Sequence, residues 1–423
     1  MSKDQKTILI LGGGTGGTVM AHRLSRALDH KHWRVAVLDH GADHLYQPGL
    51  LLVPFGVYTL SDITRKRRFR RGIDWIAEEA VAIEPEKNRV RLRNGGNVGY
   101  DILIIATGCE TRPQETAGSL GSLWGKSIFD FYTPAGSAGL APALADFAGG
   151  DLVVHIAEMP IKCPVAPLEF AFLTDAYLRK RGIRSKTKLT FVTPLSGAFT
   201  KPIASGMLGE LMHRKDIAVV PEFNIERIDE EKKNILSYDG TGIRFDLLVT
   251  VPPNMGSPVI EASGFGDEMH FVPTDHKTLQ SKIAPNIFAL GDATDLPSSK
   301  AGAVAHFQAD ILTRNILDFI HDRPCSAAFD GHSNCFIESG HGKGIMIDFN
   351  YRTEPLPGKF PLPLVGPFSL LKETRINHWG KLLFRHLYWN LLLKGRSIPF
   401  VKSAMSMRGK IPPRGREEWQ TQH

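Results

Sequence analysis

The first residues that can do chemistry are glycines. Gly12-Gly13-Gly14-Thr15-Gly16-Gly17 fits the spacing G-x-G-x-x-G at Gly12, Gly14 and Gly17. Glycine at these places serves a tight turn, close approach of backbone to a pyrophosphate, and packing of helix on strand. A helix opening behind such a turn offers free N–H groups and a partial positive charge to phosphates. Asp39 follows Gly17 by 22 residues, where a carboxylate can accept ribose hydroxyls. A glycine run alone is weak evidence, but here the flanking elements agree. Thr7–Leu11 is an apolar, β-branched strand, an amphipathic helix is expected from about Thr18 to Leu28, and Arg34–Leu38 reads as a second strand. Strand, glycine turn, helix, strand is the opening of a Rossmann-like dinucleotide-binding domain.

Sulfur is the second candidate. The four cysteines are Cys109, Cys163, Cys325 and Cys335, without a CxxC pair or metal-ligand spacing. Neither a disulfide framework nor a metal centre is expected from them. A small buried hydrophobe is the expected role of Cys109 and Cys325. Cys163 differs by its position. A second α/β block begins after roughly residue 124, and its first strand, Asp151–Ile156, runs into Ala157-Glu158-Met159-Pro160-Ile161-Lys162-Cys163-Pro164. That turn has no glycine to admit a pyrophosphate, and two prolines stiffen it. Binding of NAD(P)H is therefore not expected there, and a cysteine stands in its place. The block continues with a helix over Leu168–Lys180 and a strand over Lys188–Val192. Glu222–Asp229, Asn234–Tyr238 and Phe245–Val251 suggest a three-stranded β element. Asn286–Leu290 is then a strand ending in Gly291-Asp292, before a helix from about Ala301 to Ile320.

Bulk properties set the frame. At 423 residues, 42% hydrophobic and 22% charged, the chain can bury two or three globular cores. A net charge of +7 and a pI near 9.1 suit a nucleic acid, a membrane surface or a small anion. No segment reads as a nucleic-acid module, so no nucleic-acid partner is expected. The N-terminus lacks the pattern of a cleavable signal peptide, and no apolar run is long enough to span a bilayer. One stretch suits a bilayer surface. Asn377–Val401 sets Trp379, Leu382, Leu383, Phe384, Leu387, Trp389 and Leu391 among Lys381, Arg385, Lys394 and Arg396, as an amphipathic helix lying in headgroups requires, the alternative being an ordinary core helix or dimer face. The basic run Arg65–Arg71 reads as a solvated loop, with contact to anionic lipid as the alternative.

Two resemblances extend this reading. Ala106-Thr107-Gly108 after Tyr100-Asp101, and Gly291-Asp292 after Asn286-Ile287-Phe288-Ala289, resemble with the glycine turn the FAD signature of two-dinucleotide-binding-domain flavoproteins. This implies FAD held by Gly12, Gly14, Gly17, Asp39, Thr107, Gly108 and Gly291, with Asp292 on the ribityl chain. The stretch Pro160–Glu169, with its carboxylate six residues past Cys163, closely resembles the first redox-cysteine motif of sulfide:quinone oxidoreductases. Asn334-Cys335-Phe336-Ile337-Glu338-Ser339-Gly340, Gly342-Lys343-Gly344 and Asp348-Phe349-Asn350-Tyr351 are similar to the second. Leu45-Tyr46-Gln47-Pro48 and Lys300–His306 also match, so the resemblance covers almost the whole chain.

The resemblance implies a Cys163/Cys335 redox disulfide attacked by hydrosulfide, with electrons passing through FAD to a membrane quinone and polysulfide or sulfur as product. It implies Glu169 as an acid/base, or alternatively a charge in the first turn of its helix. Lys300 is expected near the flavin, Phe336 and Lys343 near the quinone, and either Lys162 or a helix N-terminus as the positive group lowering a thiol pKa. Which cysteine faces the flavin stays open. Many members carry a further cysteine that can tether FAD, but Ser127–Phe131 here has none, so FAD is expected to be non-covalent. The expected fold is α/β, with two Rossmann-like domains and a C-terminal membrane-associating region. The first domain spans residues 1–110 and 254–322, the second 111–253, and the quinone and membrane region 323–423, with its helix over 377–401. The expected protein is peripheral and monotopic, with sulfide, quinone and a lipid surface as partners and room for a homo-oligomer. Competing readings are a type II NADH:quinone dehydrogenase, the flavin subunit of a cytochrome-linked sulfide dehydrogenase, and a flavin-bound redox sensor.

Overall fold

The structure is a computed structural model that describes residues 5–363 and 365–412. Met1–Asp4 and the end of the expected C-terminal region, residues 413–423, lie outside the described residues. The N-terminal sheet is parallel, in the order Ile287–Ala289, Ile102–Ile105, Lys6–Leu11, Trp33–Leu38, Ile73–Ile76. Its central strands are apolar without alternation because both faces are covered. Ile8, Leu9 and Ile10 are fully buried. The helices Thr15–Ala27 and Gly302–Ile320 pack on one face, and the antiparallel strands Ala80–Glu84, Arg89–Leu92 and Asn97–Gly99 close the other.

A second parallel sheet orders Ile128–Phe129, Leu247–Val251, Gly150–Ile156, Thr187–Val192 and Ala218–Val220. One expectation fails here. The Phe245–Val251 run does not join the small three-stranded element, whose third strand is Gly242–Arg244. Leu247–Val251 is buried at every position and lies between two strands of the parallel sheet, paired Leu152↔Leu247. An unbroken apolar run belongs in such a doubly covered place, and an alternating one at a half-exposed hairpin.

The C-terminal part is a four-stranded sheet built on the hairpin Ser333–Gly340 and Lys343–Phe349. One side of that hairpin lies against the helix Ala166–Lys180, the other against the helix Arg375–Leu387. The expected helix over 377–401 is shorter than its pattern suggested. It ends at Leu387, passes through one wide turn at Tyr388–Leu392, and stops before Gly395, whose φ is +63°. Trp389 is buried among Tyr46, Leu50 and Leu392 instead of facing outward. Only Trp379, Leu383 and Ile376 of this helix's large apolar side chains are substantially exposed.

Candidate active site

The carboxyl ends of the N-terminal sheet open into a cleft of about 350 Å³. Gly12, Gly14, Asp39, Thr107, Gly108, Gly291, Asp292 and Lys300 all line it. The three fingerprint glycines divide their work. A Cβ on Gly17 would meet the Gly12 carbonyl oxygen at 1.9 Å, and one on Gly12 the Ala106 oxygen at 2.5 Å. Both are therefore required by packing. A Cβ on Gly14 would meet nothing within 4 Å and would project into the space kept for a ligand. Asp39 accepts hydrogen bonds from the Gly13 and Gly41 N–H groups at 2.6 and 2.7 Å and pairs with Arg67 at 2.7 Å. Burial alone would raise its carboxyl, but Arg67 and the Gly13 N–H outweigh it and hold the group below the usual range.

The Thr107 hydroxyl and the Arg67 Nε are buried without a protein partner. Open space over Gly14 beside two unmet polar atoms fits a pyrophosphate-bearing dinucleotide such as FAD. Asp292 is raised by burial, with Lys300 and Lys162 pulling the other way. Lys300 is not a surface lysine. Its ammonium donates to the carbonyls of Asp292 and Thr294 at 3.2 and 2.6 Å and sits 3.9 Å over the Phe271 ring.

The cysteine turn is fastened to the floor of this cleft. The Cys163 N–H donates to the Lys300 carbonyl at 2.7 Å, and the Lys162 N–H to the Asn254 side chain at 3.1 Å. The Tyr132 hydroxyl donates to the Cys163 carbonyl at 3.2 Å. These bonds hold Cys163 at φ +48°, a left-handed conformation unfavourable for a residue with a side chain. Cys163 lines the cleft and also a second cavity of about 150 Å³. Cys335 lines only the second. Both thiols are free. Burial pushes Cys163 up to about 12, helped by Glu169 and opposed by Lys381. Burial and the neighbouring Cys163 push Cys335 up as well. Lys162, the cation expected to assist, instead lies 5.9 Å over the Tyr132 ring. Lys381 has its place.

Glu169 and Lys381 form a buried pair, 2.5 Å apart. Lys381 also donates to the Phe336 carbonyl at 3.1 Å, and the Glu338 N–H donates to Glu169 at 2.8 Å. Burial raises the Glu169 carboxyl in spite of Lys381. Glu338 in turn takes His378 at 2.8 Å. The second cavity is walled by Phe336, Phe360, Phe368 and Phe384, and the two cysteines and Lys381 line it as well. Phe336 and Phe368 meet edge to face, 5.0 Å between centroids.

Residues 6–132 match the family model described as pyridine nucleotide-disulphide oxidoreductase. The chain is 29% identical over 403 residues to the mitochondrial sulfide:quinone oxidoreductase of Mus musculus, covering 93% of this chain and 88% of that one. It is 27% identical over 402 residues to the counterpart in Dictyostelium discoideum, covering 93% and 87%. Both of these relatives are sulfide:quinone oxidoreductases. The fold agrees: the crystal structure of that enzyme from Aquifex aeolicus superposes with a TM-score of 0.75 at 20% identity, over 92% of each chain.

Not every residue singled out in the sequence comes to the site. Lys343 begins the return strand of the hairpin, is exposed, and lines neither cavity. The turn at His341-Gly342 places it at the solvent end of that hairpin, away from the quinone position expected for it. Sequence reasoning also missed four residues of the cleft. Arg67, assigned to a solvated loop, turns inward onto Asp39, while the exposed Arg65, outside the cleft lining, lies over the Trp389 ring at 4.6 Å. Cys109, read as a core hydrophobe, lines the cleft. Tyr388 shares its hydroxyl with Thr15 and His44, each at 2.7 Å. Lys381 was counted as a membrane flank. Asn377, Lys381, Phe384 and Tyr388 recur at helical spacing, so a second, inward face was readable, though not its target.

Proposed function

We propose that the protein is a sulfide:quinone oxidoreductase, oxidising sulfide to polysulfide or sulfur and passing the electrons to a quinone. The observation that carries this reading is the position of Cys163, which borders both the dinucleotide cleft and the aromatic cavity where Cys335 lies. With the two cysteines joined, hydrosulfide attacks one sulfur, forming a persulfide and breaking the S–S bond, and the other cysteine leaves as a thiolate. A second hydrosulfide takes the terminal sulfur as hydrogen disulfide, the first member of a polysulfide, leaving both cysteines reduced. Non-covalent FAD supplies the two-electron carrier that restores the disulfide and delivers the electron pair to the quinone.

The residues of the chain set the conditions for these steps. Buried thiols resist ionisation, so Lys381 beside Cys163 stabilises the thiolate as it leaves. The lining of the cleft supports Cys163 as the flavin-facing sulfur, with Cys335 as its partner. Glu169, raised by burial and paired with Lys381, is placed to hold the proton of the entering sulfide. Gly12, Gly14, Gly17, Asp39, Thr107, Gly108, Gly291, Asp292 and Lys300 hold FAD, and Phe336 stacks on the quinone ring. No helix among the described residues is long and apolar enough to cross a membrane. The exposed Trp379, Leu383 and Phe400, at 66, 52 and 74% exposure, support docking on a bilayer surface from which the quinone is drawn.

Anaerobic mixing of the purified protein with sulfide tests the reading. Flavin absorbance bleaches and returns on adding a short-chain quinone. Cys163→Ser and Cys335→Ser retain FAD but are not bleached by sulfide. Rapid bleaching by NADH, with none by sulfide, overturns the assignment.

A further inference from the structure

Five histidines are buried among the described residues. Four of them have hydrogen-bond partners: His22 the Thr18 carbonyl, His44 the Tyr388 hydroxyl, His155 the Thr250 hydroxyl, and His332 the Asp348 carboxylate. His306 has none. It stands in the second turn of the helix Gly302–Ile320, only 5% exposed, and its Nδ1 is buried without a partner. Its ring lines the aromatic cavity, on the same wall as Ala303 and Phe307. Burial, with Arg23 adding to it, pushes the imidazole down to about 4, so near neutral pH it is uncharged. An uncharged imidazole carries one N–H and one lone pair, and a buried polar group of this kind is normally met by a partner.

We propose that His306 is the residue that positions the quinone, the Nε2–H of its ring, which unlike Nδ1 is not closed off, donating a hydrogen bond to a quinone carbonyl oxygen. This rests on the reading that the aromatic cavity takes a quinone, and it adds the polar contact that orients the ring within it. Phenylalanines on the cavity wall grip a flat ring from its faces but do not fix which edge enters first. A single N–H in an apolar wall does, because a carbonyl left in that wall without a donor loses its water and gains nothing. His306 touches neither sulfur nor flavin in this role; it acts on the acceptor alone.

The test separates the two half-reactions. Protein reduced photochemically, without sulfide, is mixed with a benzoquinone bearing a short alkyl chain. For His306→Leu the quinone concentration giving half-maximal reoxidation rises about tenfold, the loss expected of one buried hydrogen bond. Equilibrium binding of the same quinone to the oxidised protein weakens in parallel, and His306→Gln, which keeps an N–H donor, recovers most of both. Bleaching by sulfide keeps its rate in all variants. Where H306L loses its flavin, H306F, which keeps a ring without nitrogens, is read in the same way. An unchanged quinone dependence in the apolar variants overturns the proposal, as does slowed bleaching by sulfide with quinone reoxidation intact. If sulfide fails to bleach the unaltered protein while quinone reoxidation still depends on His306, the sulfide oxidation falls and this assignment stands.

Discussion

At the scale of single residues, Glu169 and Lys381 form a buried ion pair beside Cys163. Two charges withdrawn from water are tolerable only together, and removing one leaves the other buried and unpaired. Lys381→Met should therefore cost about 3–5 kcal/mol in stability, read by denaturant unfolding of the flavin-loaded protein. The double variant Glu169→Gln/Lys381→Met should cost clearly less than the sum of the two single changes, because it removes both charges. Additive losses would mean that the pair is not coupled. Lys381→Met should also slow bleaching by sulfide, since Lys381 is the cation that lowers the Cys163 thiol. Both residues were visible in the sequence, Glu169 as a site residue and Lys381 as a basic flank. Their partnership was not, because 212 residues separate them and only the hairpin between their two helices brings them together.

At the scale of elements, the glycine turn and the C-terminal helix show opposite degrees of legibility. The turn is a local device whose geometry is written in consecutive residues, and the structure reproduces strand, turn and helix within a few residues of expectation. It also separates two roles that the motif alone merges. Gly17→Ala puts a methyl group 1.9 Å from a backbone oxygen, so the strand–helix junction must move. Gly14→Ala enters empty space. We expect Gly14→Ala to fold with near-normal thermal stability in the FAD-free state but to bind FAD weakly, and Gly17→Ala to lose stability even without cofactor. Equal effects in the two variants, measured by unfolding and by FAD titration, would contradict this division. The helix at Arg375–Leu387 misled because its pattern serves two neighbours at once. Lys381 and Tyr388 face the cleft while Trp379 and Leu383 face out.

At the scale of the whole molecule, buried histidines tie stability to pH. His155 is fully buried, and burial pushes it down to about 3 from an ordinary 6.5. His44 is likewise pushed down to about 4, by burial and by Arg67. The folded protein then binds fewer protons than the unfolded chain between these limits. The stability these groups contribute is present above 6.5 and is lost as pH falls toward 4. Asp292, raised by burial, works in the opposite sense: its contribution is present at low pH and is lost as pH rises through its folded value. The difference between His155→Leu and the unaltered protein isolates one histidine. The variant should show a shallower fall in stability between pH 6.5 and pH 4, and an unchanged slope would refute the burial argument. The outward apolar residues make a second prediction at this scale. Trp379→Ser/Leu383→Ser should lose binding to vesicles containing anionic lipid while keeping its bleaching by sulfide in solution.

The sequence by itself determined the dinucleotide turn, the glycine-bearing strand ends that line the cleft, the absence of a second glycine loop and the cysteine standing in its place. Each is a local pattern, carried by neighbouring residues whose backbone conformation or missing side chain is the function. Tertiary structure alone decided that Leu247–Val251 joins the parallel sheet, that Lys381 and not Lys162 faces Cys163, and that Lys343 stands outside the site. It also decided that Cys163 borders both cavities while Cys335 borders one. These depend on which face of an element meets which neighbour across hundreds of residues. A periodic pattern states that an element has a buried face, and packing alone states what that face is buried against.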